Sequence, residues 1–299
     1  MSSVPHLVQY QGSKRNLAAK ILDYIPTKCN RIIEPFAGTA AITMACAVNH
    51  LADKYIINDL NKPLVGLLEL VVNNPSYVAR KYGEIWNEQI DRSVEHYYEI
   101  REKFNKTQDP VLFLYLLARC VKGSVRYNSE GMFNQSPDKR RKGTAPQKME
   151  NNIFSISYIL KGKTEFYSND YKILLKKALP GDIVYMDPPY QGVCGDRDSR
   201  YFAGINHNEF VEELNKLNKR GISFIVSYDG KLGEKSYGKE IPKEIGLEHV
   251  FLNAGRSSQA TLLGKSDLTI ESLYITKDLV NVVEKIKKEN RSELFERVS

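Results

Sequence analysis

The tetrapeptide Asp187-Pro188-Pro189-Tyr190 is the part of the chain whose residue types most directly propose chemistry. Two consecutive prolines fix φ and remove two N–H donors, so the loop presents carbonyl oxygens and a carboxylate in a rigid array. An array made only of acceptors suits an exocyclic amine on a conjugated ring. Such an amine is a poor nucleophile because its lone pair is delocalised into the ring. Accepting one of its hydrogens at Asp187 and the other at the Pro188 carbonyl favours the pyramidal form, whose lone pair can attack an electrophilic carbon. The carboxylate bond is charge-assisted and contributes about 1.5–3 kcal/mol. Pro189 keeps the loop rigid, and Tyr190 offers a face on which a base can stack, at about 1–3 kcal/mol. A base reaching such a pocket has to leave its duplex. Standing alone, the same four residues are equally a rigid turn with a stacked tyrosine.

A second constellation lies upstream. The turn Phe36-Ala37-Gly38-Thr39-Ala40 has one glycine where a dinucleotide fingerprint has three, which argues against close pyrophosphate approach and so against NAD. Asp59 follows Gly38 by 21 positions, at the end of the next apolar run, where a carboxylate reaches the hydroxyls of a bound ribose. A nucleoside cofactor without phosphates fits both features, and S-adenosyl-L-methionine is one. Glu34, just before the turn, is either a pocket-lining carboxylate or a surface charge. Lys14, after a glycine-containing turn, suits the methionine carboxylate of that cofactor or a DNA phosphate, and is otherwise a solvated lysine.

These residues need a parallel sheet to bring them together. Apolar runs at 31–35, 55–59, 164–167, 182–187, 222–227, 248–252 and 273–276 predict about seven strands, and the site residues fall at the carboxyl ends of three of them. Between the second and third runs, residues 61–151 are mostly helical in pattern, with 110–121 (PVLFLYLLARCV) as an apolar core helix that starts at proline. The expected fold is a doubly wound, Rossmann-like α/β sheet with an inserted helical subdomain. Residues 1–60 and 152–299 would form the cofactor-binding catalytic domain and 61–151 the target-recognition subdomain. From Asp278, the apolar residues Leu279, Val282, Val283 and Ile286 recur at helix spacing and predict a surface-packed C-terminal helix.

Net charge is +7 over 299 residues, which favours a polyanionic partner. The excess concentrates at 122–148, a stretch rich in Gly, Ser, Asn and Pro that carries seven basic residues against Glu130 and Asp138. Within it, Arg126 suits bidentate contact to guanine or contact to a phosphate. Lys139, Arg140, Arg141 and Lys142 suit backbone phosphates, or form a solvated charge run. The four cysteines (Cys29, Cys46, Cys120 and Cys194) are too far apart in sequence for a Cys-x-x-Cys pair, so neither a zinc site nor a disulfide framework is expected. No metal is expected. The first twenty residues lack a signal-peptide pattern and no apolar run reaches membrane-spanning length, so the expected location is the cytoplasm.

Taken in order, Tyr10-Gln11-Gly12-Ser13-Lys14, Glu34 to Gly38, Asp59-Leu60-Asn61, 97–110, Arg126 to Asn134 and Asp187 to Tyr190 resemble the Dam-type DNA adenine methyltransferases over nearly the whole chain. The resemblance implies N6 methylation of adenine in double-stranded DNA, with Tyr10, Lys14, Glu34, Phe36, Gly38, Asp59 and Asp187 around the cofactor. It implies that Asp187 to Tyr190 hold a flipped adenine, and that Gln9, Lys122, Arg126, Asn128, Lys139, Arg140 and Arg141 face DNA. Gln9 stands where many GATC-reading members have lysine, Ala118 and Lys122 where they have asparagine, and Ser136 where they have proline. These are base-reading positions, which points away from GATC as the target. The alternative readings are methylation of cytosine N4, whose amine poses the same chemical problem, and a DNA-binding relative that has lost catalysis. A restriction-modification setting with a cognate endonuclease is compatible with the first reading.

Overall fold

The apolar runs pair as one sheet in a computed structural model, which describes residues 4–189, 205–232, 235–237, 239–256 and 268–281. The strands are β1 (Cys29–Glu34), β2 (Ala52–Asn58), β3 (Thr164–Tyr167), β4 (Ile183–Met186), β5 (Ser223–Leu232), β6 (Lys235–Tyr237), β7 (Glu248–Arg256) and β8 (Leu268–Ile275). Their order is β3-β2-β1-β4-β5-β8-β7, with the short β6 paired to β5. The first five are mutually parallel, and β6, β7 and β8 pair antiparallel. The chain runs outward from β1 to β3 and then returns to start β4 on the other side of β1. The crevice at this reversal, at the carboxyl ends of β1 and β4, is where a doubly wound sheet takes its ligand.

Nine helices surround the sheet among the described elements: α1 (Ala18–Leu22), α2 (Ala41–Val48), α3 (Lys62–Asn73), α4 (Pro75–Glu88), α5 (Ser93–Thr107), α6 (Pro110–Arg119), α7 (Pro146–Leu160), α8 (Tyr171–Lys177) and α9 (His207–Lys219). Alternation along the central strands serves two cores. Ile32, Tyr55, Ile57, Tyr185 and Ile225 face one apolar cluster, which also takes in α2, α3, α6 and α7. Ile33, Ile56, Val184, Met186 and Phe224 face a second, smaller cluster built with α8 and α9. Helix α6 is buried almost all round, and each Leu or Phe it buries contributes about 1.5–3 kcal/mol. Asp109 starts it by accepting the Val111 N–H at 2.7 Å, with Pro110 in the first turn, where no N–H is needed.

The helical insert therefore has no apolar core separate from the sheet. Its last helix, α7, also runs through residue 151 to Leu160, because Met149, Ile153, Ile156 and Leu160 keep one buried face across the polar residues between them. A helix begins at 277–281 with Leu279 buried, and the later part of the expected C-terminal helix lies outside the described residues. No helix among the described residues is long and apolar enough to cross a membrane. Cys29, Cys46 and Cys120 are free thiols, their pKa values raised by burial, and Cys194 lies outside the described residues.

Candidate active site

The carboxyl ends of β1, β2, β3 and β4 open into a cleft of about 270 Å3. Its walls include all seven residues expected around the cofactor, together with Pro188 and Pro189. Tyr190 lies outside the described residues.

Each wall has a local cause. After β1 the chain turns sharply through Gly38 and Ala40, both at positive φ, before α2 begins. A Cβ on Gly38 would come within 3.3 Å of the Tyr10 ring, so the glycine lets the N-terminal segment lie against the turn. Asp59, leaving β2, accepts the Gly38 N–H at 2.8 Å with one carboxylate oxygen and the Asn61 N–H at 2.9 Å with the other. Burial raises its pKa and those two donors oppose the rise. A carboxylate has about four lone-pair sites, so two remain for a ligand's hydroxyls. Asn58, buried beside it, donates to the carbonyls of Pro35 and Asn169 and accepts the Asn169 N–H, which ties the loops after β1, β2 and β3 together.

Of its two readings, Glu34 is the pocket-lining carboxylate and not the surface charge. It is buried and accepts both the N–H (3.0 Å) and the hydroxyl (2.6 Å) of Thr43 in the first turn of α2. Burial outweighs those bonds and pushes its carboxyl up to about 8. The Phe36 ring packs against Tyr171 at a centroid distance of 5.0 Å, giving the cleft an aromatic wall.

Lys14 lines the cleft expected to hold the cofactor and is not a solvated lysine. It is only 9 % exposed, and its Nζ lies 2.9 Å from Asp187 Oδ1 and 3.0 Å from Glu271 Oε1. Glu271, on β8, also accepts from the Ser227 hydroxyl of β5 at 2.9 Å. Burial works against the ammonium, and the two carboxylates more than restore it, so its pKa is raised. Burial pushes Asp187 and Glu271 up, and Lys14 pulls both back. Tyr185, two residues before Asp187 on β4, completes the floor. Its hydroxyl is buried with no hydrogen-bond partner among the described residues, and burial raises its pKa well above the ordinary phenol value. A buried hydroxyl without a partner costs about 1–3 kcal/mol.

Sequence reasoning missed Glu271 and the Asn169-Asp170 segment. The second had a signal, since it directly follows a parallel strand, as Asp59 and Asp187 do. The first had a faint one, a lone charged residue among Leu268, Ile270, Leu273 and Ile275.

The residues expected to face DNA lie on the insert and the N-terminal segment. Gln9, Lys122, Arg126, Lys139, Arg140 and Arg141 are exposed, and Asn128 is half-buried. Gln9 and Lys122, far apart in sequence, become neighbours through Gly123, whose carbonyl accepts the Gln11 N–H at 3.0 Å. With φ of +59 and the Gln9 carbonyl where a Cβ would stand, that position admits only glycine. Arg126 opens a turn in which Tyr127 bridges to Phe133. Tyr127 points inward to line the cleft while Arg126 stays outside. Asn128 has a structural duty, because its Oδ1 accepts the Glu130 and Met132 N–H groups and closes the turn. No group of His, Cys, Asp and Glu suited to a metal occurs among the described residues.

Comparison with known proteins gives the arrangement a context. A family model of the D12 class N6 adenine-specific DNA methyltransferases matches residues 10–254. The chain is 30% identical over 213 residues to the DNA adenine methylase of Escherichia coli strain K12, covering 69% of this chain and 71% of that one. It is 29% identical over 207 residues to the DNA adenine methylase of Serratia marcescens, covering 68% and 72%. A type II methyltransferase of Lactococcus lactis subsp. cremoris is 27% identical over 284 residues, covering 89% and 94%.

Proposed function

The chain belongs to the D12 class of N6 adenine-specific DNA methyltransferases, and from that premise we propose that it takes its methyl group from S-adenosyl-L-methionine in the cleft and transfers it to an adenine turned out of the duplex onto Asp187 to Tyr190. The observation that carries this reading is the buried Lys14 held between Asp187 and Glu271. It holds the acceptor carboxylate in a cleft whose walls also include the Asp59 loop.

The lining suits such a cofactor. Four carboxylates besides the protonatable Glu34, and two lysines, line the cleft of a chain whose net charge is +7, which favours a cationic ligand. Asp59 keeps acceptor capacity for ribose hydroxyls, and Phe36 supplies an aromatic surface. The orphaned Tyr185 hydroxyl is a polar group in want of a ligand. When bound, S-adenosyl-L-methionine supplies a methyl carbon made electrophilic by its sulfonium.

The chain's own residues supply the rest. Asp187 accepts one hydrogen of the adenine amine and the Pro188 carbonyl accepts the other, which localises the lone pair on the nitrogen. Lys14 holds Asp187 in place as an anion, so its orientation is settled before substrate arrives. Transfer would form the bond from the amine nitrogen to the methyl carbon as the carbon–sulfur bond breaks, its electron pair staying on sulfur as a neutral thioether. The nitrogen, then positively charged, would shed a proton, and Asp187, hydrogen-bonded to it, would be placed to accept it. Alignment supplies most of the acceleration, and no strong base is required. Outside the cleft, Arg126, Gln9 and Lys122 face base edges, and Lys139, Arg140 and Arg141 meet backbone phosphates. The contiguity of Gln9 and Lys122, both of which differ from the GATC-reading pattern, supports a recognition sequence other than GATC. The type II relative supports a restriction-modification setting, in which a companion endonuclease would cut the same unmethylated site. We place the enzyme in the cytoplasm, on the DNA it modifies.

The test is methyl transfer to duplex DNA from labelled S-adenosyl-L-methionine, with nucleoside analysis, for wild type and Asp187→Asn. The wild type yields N6-methyladenine. The variant loses at least about a hundredfold in rate while holding cofactor and DNA within about tenfold of wild type. A wild type that does not bind this cofactor, or a variant that keeps its rate, overturns the proposal.

A further inference from the structure

Segment 138–144 carries Lys139, Arg140, Arg141 and Lys142 and has no helix or strand of its own. Its shape is nevertheless fixed, and fixed through its carbonyls. Arg119 Nη1 donates to the Asp138 carbonyl at 3.1 Å, Gln89 Nε2 to the Lys142 carbonyl at 3.0 Å, and the Tyr82 hydroxyl to the Thr144 carbonyl at 2.5 Å. All three donors are fully buried, on α6, at the end of α4 and within α4.

Each donor is itself held. Gln89 Oε1 accepts from the Tyr115 hydroxyl of α6 at 3.2 Å, so its amide cannot turn over without losing two bonds. Arg119 Nη2 donates to the Ser93 carbonyl at 3.2 Å. Gly143, at φ +80, lies so close to α6 that a Cβ would stand 3.0 Å from Arg119 Cδ. At the other end, Asp138 accepts the Arg140 N–H at 3.0 Å and lies beside the Arg140 and Arg141 guanidiniums. The backbone of the segment is thus turned inward onto three buried donors, and its basic side chains are left outside.

We infer that Tyr82, Gln89 and Arg119 are positioning residues for DNA, holding segment 138–144 in the shape that meets backbone phosphates. This rests on the reading above that the segment contacts phosphates. A mobile loop with the same four charges would release the same counterions on binding but would first have to be ordered. A pinned loop is ordered before DNA arrives. The two contributions separate in a salt series, since charge sets the slope of log K against log salt and ordering shifts its height.

The experiment is fluorescence anisotropy with duplex DNA across a salt series for wild type, Tyr82→Phe, Gln89→Leu and Arg140→Ala/Arg141→Ala. Calorimetric S-adenosyl-L-methionine binding and amide hydrogen exchange on the DNA-free proteins accompany it. Tyr82→Phe and Gln89→Leu are expected to weaken DNA binding by about tenfold at every salt concentration with the slope unchanged. Exchange should rise in 138–144 and cofactor binding should stay at the wild-type value. The double arginine variant is expected to lower the slope by about 2. If it does lower the slope while Tyr82→Phe and Gln89→Leu keep both affinity and local protection, the pinning inference is overturned and the phosphate reading stands. A double variant with the wild-type slope removes the phosphate reading, and the inference with it. Exchange that rises throughout the chain in Tyr82→Phe and Gln89→Leu alike also overturns it, since the bonds would then serve general stability.

Discussion

Lys14→Met isolates the contribution of the cation beneath the candidate catalytic loop. Methionine keeps the unbranched stem and removes the charge. With contacts of 2.9 and 3.0 Å, and an effective dielectric constant of about 20, each carboxylate gains about 5–6 kcal/mol of gross attraction from the ammonium. Desolvating three charges offsets most of that in the intact protein. The variant forfeits the attraction and keeps two desolvated carboxylates that repel one another, so the expected loss is about 3–5 kcal/mol at neutral pH. The loss should depend on pH in a definite sense. Burial already raises the pKa of Asp187 and Glu271, and Lys14 opposes it, so without Lys14 both folded-state values climb further above their unfolded values. A carboxylate raised in this way favours folding fully below its unfolded pKa, and that contribution disappears as pH rises through the folded pKa. Urea unfolding at about pH 7.5 and about pH 5 should therefore show a smaller deficit at the lower pH, where both groups can take up protons. A deficit under about 1 kcal/mol, or the same deficit at both pH values, would refute the buried triad and return Lys14 to the class of solvated lysines.

The other expectations concern the remaining walls of the cleft. Glu34, pushed up to about 8, favours folding below the ordinary carboxylate range and loses that contribution as pH rises through about 8. Glu34→Gln should flatten the stability profile between about pH 5 and 8 by about 3 kcal/mol in urea titrations, and parallel profiles would count against the buried acid. Tyr185→Phe removes a hydroxyl that has no partner among the described residues, so it should stabilise the ligand-free protein by about 1 kcal/mol in thermal melts while slowing methyl transfer. A lower melting temperature would show that the hydroxyl is satisfied. Asp59→Ala strands the Gly38 and Asn61 N–H groups. It should cost about 1–3 kcal/mol of stability and at least about tenfold in cofactor affinity by calorimetry, with Asp59→Asn between it and wild type. Wild-type affinity in the alanine variant would remove Asp59 from the site.

Four of the five parallel strands were legible as short apolar runs closed by a polar or turn-forming residue, and the edge strand β3 by its β-forming Thr, Phe and Tyr. β6 was not, since three residues carry no period; β7 runs past its expected end to Arg256 through residues that no apolar pattern marks, and β8 starts at Leu268, five positions before its expected start. The boundary of the insert, expected at 151, falls inside α7. A polar stretch such as Gln147 to Asn152 resembles a loop until Met149, Ile153 and Ile156 are counted as one face. Asn128, expected to face DNA, spends its side-chain oxygen on its own turn, which is the local competition that Asn side chains commonly win. In the cleft, Glu34, Gly38, Asp59 and Asp187 were legible because each follows a parallel strand. Glu271 was not, since its role is set by Lys14, over two hundred and fifty positions away in sequence, and an ion pair that closes the two ends of a chain leaves no local trace. The same pairing explains why Lys14 could be read as solvated, as its partners come from β4 and β8 and exist only once the sheet has formed.

The distribution of charge gives these parts a common logic. A chain with an excess of seven positive charges has lined its candidate active-site cleft with five acidic side chains and two lysines, and one of those lysines is already committed to Asp187 and Glu271. Lys139, Arg140, Arg141 and Lys142 lie exposed on the insert, where buried side chains turn the backbone of 138–144 inward and leave these cations in solvent. A polyanion is drawn to the second surface and repelled by the first. On the proposed reading a neutral base and a cationic donor escape that repulsion, and the cleft disfavours the phosphate backbone that the insert would attract. Had the cleft shared the positive charge of the rest of the chain, phosphate would compete with the base for the same walls. On the proposed reading, the negative charge of the cleft keeps the two ligands apart.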